Sequence, residues 1–194
     1  MTDFPDWAAP AVLLLLIALA SAQAGVGFMR FVRRRRSLQA FAAARGWSFH
    51  TVLPSGARPP FTRLRELRRT VLLWNVLEGQ WNGHAVATFE RKPRRRVLFT
   101  GVLVTVGRRM RSLRADWDAV RHARSRPDLF GPLTTERLTG GPALLLEADD
   151  NVLYVTAGDA RDGETLGHLL DLATPLATAM VEDAEGAPAP STFA

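Results

Sequence analysis

The sequence predicts an α+β protein: one N-terminal transmembrane helix, then a cytoplasmic domain with an antiparallel sheet of about five or six strands and packed helices. Three observations carry this. Residues 7–29 hold no charge, and their centre, residues 11–20, reads AVLLLLIALA. Asn82-Gly83 and Asp149-Asp150-Asn151 each separate two runs rich in apolar residues. Residues 163–181 repeat Leu, Ala, Met and Val at helical spacing.

The N-terminal run is long enough to span a bilayer. At about 1.5 Å per residue, such a helix crosses a hydrocarbon layer about 30 Å thick. A core helix of a soluble domain would carry a polar face, which this run lacks. Ala22-Gln23-Ala24 has the small-x-small pattern of a signal-peptide cleavage site. The flanks oppose that alternative, since Asp3 and Asp6 precede the run and Arg30 and Arg33–Arg36 follow it. The positive-inside rule then places residues 1–6 outside a single-pass plasma-membrane helix (7–29) and everything after it in the cytoplasm. Residues 30–36 form a basic juxtamembrane segment, 37–181 the folded domain and 182–194 a disordered tail.

Within the domain, residues 37–45 continue as a helix that Gly46 stops, and Trp47–His50 reads as a short strand. Pro54, Gly56, Pro59 and Pro60 make 51–60 a loop, and 61–69 a helical turn. Asn-Gly between apolar runs is the strongest short hairpin signal, because both central residues of a type I′ turn need positive φ. That turn pairs Trp81 with His84, Gly79 with Val86, and Val76 with Phe89. Residues 97–106, VLFTGVLVTV, are apolar on both alternating faces, as in a strand covered on both sides. Residues 108–124 read as a basic helix with Leu113, Trp117 and Val120 as its stripe. Residues 126–141 read as irregular. Strands at 143–148 and 152–157 flank the acidic turn. A last helix, 163–181, is capped by Asp162 and kinked or split at Pro175. A strongly curved sheet closed by this helix, as in pleckstrin-homology-like barrels, is compatible with the pattern.

Charge is unevenly spread. Residues 30–126 hold 23 Lys and Arg against 5 Asp and Glu, whereas 127–194 hold 2 against 12. A basic half beside an acidic half suggests self-pairing, or a basic face turned to an anionic surface. Beside the span, Arg30, Arg33, Arg34, Arg35 and Arg36 are the expected headgroup contacts, each worth about 1 kcal/mol near an anionic leaflet. Arg94, Arg95 and Arg96 extend the basic surface, as do the clusters at 63–69 and 108–114.

Catalytic and metal-binding patterns are missing. The chain has no cysteine, which excludes disulfides, thiolate metal sites and cysteine nucleophiles. His50, His84, His122 and His168 fall in separate elements with no metal-ligand spacing. No phosphate loop, G-x-G-x-x-G, G-x-S-x-G elbow or calcium loop is present. No cofactor is therefore expected, and no nucleic acid, since no base-reading motif accompanies the arginines. An enzyme would have to gather dispersed residues such as Glu78, His84, Asp116 and His168.

The order of features also resembles a known group. An apolar N-terminal span and an arginine cluster are followed by Ala44-Arg45-Gly46-Trp47 and Pro59-Pro60-Phe61. Then comes Asn75-Val76-Leu77-Glu78-Gly79, with a hairpin into Ala87-Thr88-Phe89. This is similar to a group of membrane-anchored proteins of unknown function from high-GC Gram-positive bacteria, over roughly residues 29–106. The resemblance implies the anchored topology and carries over no site residue. The expectation is a membrane-tethered binding or scaffold module contacting anionic lipid and a protein partner. An enzyme and a nucleic-acid-binding module are the alternatives.

Overall fold

The computed structural model describes residues 8–54, 64–68, 72–91, 99–125, 129–139, 144–157 and 163–186. The chain divides into two units, Met1–Ser37 and Leu38–Ala194. Helix α1 (Ala8–Ala43) supplies the described part of the first. From Pro10 onward it is long and apolar enough to cross a membrane, and its apolar window is wholly unburied. The helix does not pause at Arg30–Arg36, because arginine is a good helix former and no Gly or Pro interrupts that stretch.

The second unit begins with the last turn of α1. Gly46 adopts φ +67°. The Trp47 amide donates to the Ala42 carbonyl at 2.9 Å and the Gly46 amide to that of Ala43 at 3.2 Å. This is a Schellman stop, completed by the apolar contact of Trp47 with Phe41, whose rings lie 5.7 Å apart edge to face.

Beyond it come β1 (Ser48–Pro54), α2 (Arg65–Arg68), β2 (Leu72–Trp81), β3 (His84–Arg91), β4 (Phe99–Thr105) and β5 (Leu113–Ala115). A short helix α3 (Trp117–Arg121), a 3-10 turn (Ala123–Ser125), α4 (Pro132–Leu138), β6 (Leu145–Asp149), β7 (Val152–Ala157) and α5 (Gly163–Gly186) complete the order. The strands form one antiparallel sheet, β1-β2-β3-β4-β7-β6-β5. It is open, with β1 and β5 at its edges, so the sheet does not close into a barrel.

Central β4 is covered on both sides, as its sequence predicts. Val102 and Val104 enter a core shared with Leu38, Phe41 and the α5 stripe of Leu166, Leu170, Ala173 and Ala177. Leu103 faces a second core with Leu64, Leu67, Phe89 and Tyr154. A side chain at Gly101 would meet Tyr154 and Phe89 within 3 Å, so the two stacked rings close over a bare backbone.

Several local expectations are corrected. The described residues form seven strands, because 113–115 is a strand where the sequence predicts a basic helix. Leu113 and Ala115 pair with Ala148 and Leu146 and are buried, while Arg114 between them is exposed. Asp116 then caps α3 by accepting from the Ala119 amide at 2.9 Å, which restarts the chain as a helix. The first strand runs on to Pro54, four residues into the expected loop. Residues 132–138 are helical, with Pro132 in the first turn.

In the β2–β3 hairpin, Asn82 and Gly83 both have positive φ, and Trp81↔His84 and Gly79↔Val86 pair as predicted. The third pair fails: register shifts between Trp74 and Leu77, where Asn75 at φ +45° makes a bulge. Its side-chain amide donates to buried Glu90 at 2.9 Å. Helix α5 passes through Pro175 unsplit. Proline deletes only its own donor and that of no other residue, and buried residues on both sides hold the helix to the core. Asp162 and residues 187–194 lie outside the described residues.

Candidate functional site

The predicted arginines are only partly within the described residues. Arg30, Arg33, Arg34, Arg35 and Arg36 lie on α1 in the first unit. Arg94, Arg95 and Arg96 lie outside the described residues. Each of the four dispersed residues of a hypothetical enzyme has its own surroundings. Glu78 stands 3.7 Å from His50. His84 meets Thr178 at 3.3 Å, Asp116 caps α3, and His168 is exposed on α5. Among the described residues no group of three or more His, Asp or Glu could hold a metal ion.

What the fold does build is an open groove of about 760 Å³ beside β5, between the N-terminal half of α4 and the end of α5. Its floor is apolar: Met110, Leu113, Phe130 and Met180 all line it and are buried. Leu133 stands on its wall with 39% of its surface exposed.

Distant parts of the chain hold these walls in place. The β6–β7 turn, with Asp150 at φ +56°, fixes Met110, whose amide donates to the Asp150 carbonyl at 2.6 Å. Helix α4 starts at Gly131, which has no side chain to cap it. Asp183 of α5 supplies the cap instead. Its two carboxylate oxygens accept from the amides of Leu133 at 3.1 Å and Thr134 at 2.8 Å. A Cβ on residue 131 would lie 2.2 Å from the Asp183 Cγ, so this approach requires glycine.

Charged residues of both signs line it: Arg109 and Arg111 from the segment before β5, and Glu182 and Asp183 from α5. Arg109 Nε lies 3.2 Å from Asp150, and Arg108 pairs with Glu185. The basic and acidic halves of the sequence therefore meet within the folded domain, as one of the two alternatives from composition proposed. Arg108–Arg114 belongs to a cluster that the sequence singled out as basic. The groove itself was not legible, because Met110, Phe130 and Met180 come from three distant segments and share no spacing.

No family model and no curated protein matches the chain by sequence. Among solved structures, the fold is similar to that of the mycobacterial trehalose monomycolate transport factor A, TtfA. The TM-score is 0.55 at 13% identity, over 81% of this chain and 98% of that one. At that identity the likeness is one of fold: an α+β domain with an antiparallel sheet, shared with a transport factor from high-GC bacteria.

Proposed function

We propose that this chain is a membrane-tethered, non-catalytic module whose domain lies in the cytoplasm and works by binding at the inner leaflet. The observation that carries it is α1: an uncharged apolar stretch followed in the same helix by Arg30 and Arg33–Arg36. A helix with that order of lipid-soluble and cationic residues is retained with its arginines inside, and those guanidiniums meet anionic headgroups. The absence of a convergent catalytic constellation among the described residues supports binding over chemistry. The similar fold of a mycobacterial trehalose monomycolate transport factor is consistent with a membrane-associated, non-catalytic module, and a protein partner at the membrane is part of the proposal.

The test uses the chain's lack of cysteine. Single cysteines are placed at Thr2 and at Gln80, which is exposed on β2. A membrane-impermeant maleimide should label Thr2→Cys in intact cells and Gln80→Cys only after lysis. The protein should stay in the pellet through an alkaline carbonate wash. Release by carbonate, or labelling of Gln80→Cys in intact cells, would refute the proposal.

A further inference from the structure

We infer that the groove beside β5 takes one acyl chain of an anionic membrane lipid, an assignment that rests on the proposed membrane tether and deepens it. Size is the first argument: about 760 Å³ falls within the range of small-molecule sites, roughly 300–1,000 Å³. The floor is the second. Met110, Leu113, Phe130 and Met180 present no strong hydrogen-bonding atom. A peptide would bring backbone N–H and C=O groups that this floor leaves unsatisfied, whereas a hydrocarbon chain brings none. Methionine side chains also adapt to a flexible guest, and the same guest would cover Leu133.

Charge at the mouth is the third argument. Asp183 is committed to the amides of Leu133 and Thr134, and Glu185 to Arg108. Arg109 and Arg111 also line the groove. The Arg109 side chain is 90% exposed and meets Asp150 only at the surface, where an ion pair holds weakly. Its guanidinium can turn to a phosphate, with which it makes stronger, two-pronged hydrogen bonds. A lipid lying with its chain on the floor and its head on the arginines satisfies both surfaces at once.

Photolabelling of the full-length chain in nanodiscs tests this. The discs carry phosphatidylglycerol or phosphatidylcholine with a diazirine near the chain end, and labelled peptides are mapped by mass spectrometry. Helix α1 is labelled in both discs and reports correct insertion. With phosphatidylglycerol, label should also fall on residues 109–113, 129–134 or 180–186, several-fold more than with phosphatidylcholine. Leu133→Arg, or the milder Leu133→Gln, should abolish that groove label while α1 keeps its own. Arg109→Gln with Arg111→Gln should erase the preference for phosphatidylglycerol.

Label confined to α1 in both discs overturns the inference. Equal groove labelling by the two lipids overturns the anionic head. Groove labelling only by a photoreactive fatty acid added in water overturns the membrane source. Loss of label from α1 itself refutes the tether instead, so the two failures are distinguishable.

Discussion

Among the described residues, Gly79, Gly101 and Gly131 would each carry a Cβ closer than 3 Å to a neighbour's side chain. Gly79 on β2 lies beneath Trp47, and a Cβ there would sit 2.2 Å from the indole Cδ1. Trp47 is itself fixed between the helix stop at Gly46 and the ring of Trp81, 6.0 Å away. It has little room to retreat. Gly79→Ala should therefore destabilise the domain by about 1–3 kcal/mol, the usual cost of overpacking. Urea unfolding followed by tryptophan fluorescence measures this. The loss should shrink when Trp47→Leu is added, since residues in contact do not contribute additively. Equal losses in the two backgrounds would show that Trp47 is not the obstacle. At the groove, Asp183→Ala should cost about 1 kcal/mol, the worth of a helix cap. Gly131→Ala should also destabilise the fold, by displacing the carboxylate instead of deleting it. Asp183→Asn, which keeps one oxygen acceptor, should lose less than Asp183→Ala in the same unfolding experiment.

The elements most legible in the sequence are those whose signal is local. Asn82-Gly83 supplies both positive-φ residues of its turn from adjacent positions, and so fixes the register of Trp81 with His84. Asp150 does similar work between β6 and β7. β5 is hidden for the opposite reason. Its three residues are too few to show a period, and Leu113 and Val120 mimic a helical stripe although one is paired to β6 and the other belongs to α3. The bulge at Asn75 is hidden too, because no glycine beside it marks a turn and the Glu90 that its side chain meets lies on another strand. Helix α4 is masked by its flanking glycines and prolines, and its cap comes from Asp183, fifty residues away in sequence. Pro175 predicts a kink or a split on local grounds, yet α5 runs on unsplit, with Leu170, Ala173, Leu176 and Ala177 buried on either side of it. The Asp171 carbonyl still lacks the helical donor that residue 175 would provide. Pro175→Ala should therefore stabilise the domain by about 1 kcal/mol. That corresponds to a rise in melting temperature of roughly 2–4 °C, readable by thermal unfolding. A fall would show that the core is shaped around the proline ring.

For the whole molecule, charge does two separate jobs. Within the second unit, basic and acidic halves meet one another through Arg108 with Glu185 and Arg109 with Asp150. Those pairs are exposed and contribute little to stability; the acidic residues of 127–194 are what leave the domain far less cationic than its first half suggests. On α1, by contrast, Arg30 and Arg33–Arg36 follow an apolar stretch with only Asp3 and Asp6 before it, and acidic residues weigh little in setting orientation. In the proposed topology the five arginines are then the main term that decides which end of the helix stays inside. Replacing all five by Gln should preserve the helix, since glutamine forms helices nearly as well as arginine, and should keep the protein in the carbonate-washed pellet. Orientation should become mixed, with a fraction of Gln80→Cys now labelled from outside intact cells. A variant that stays fully N-out would place the topology signal elsewhere, in the folding of the domain before insertion. One that leaves the membrane would mean that the apolar stretch alone does not hold it.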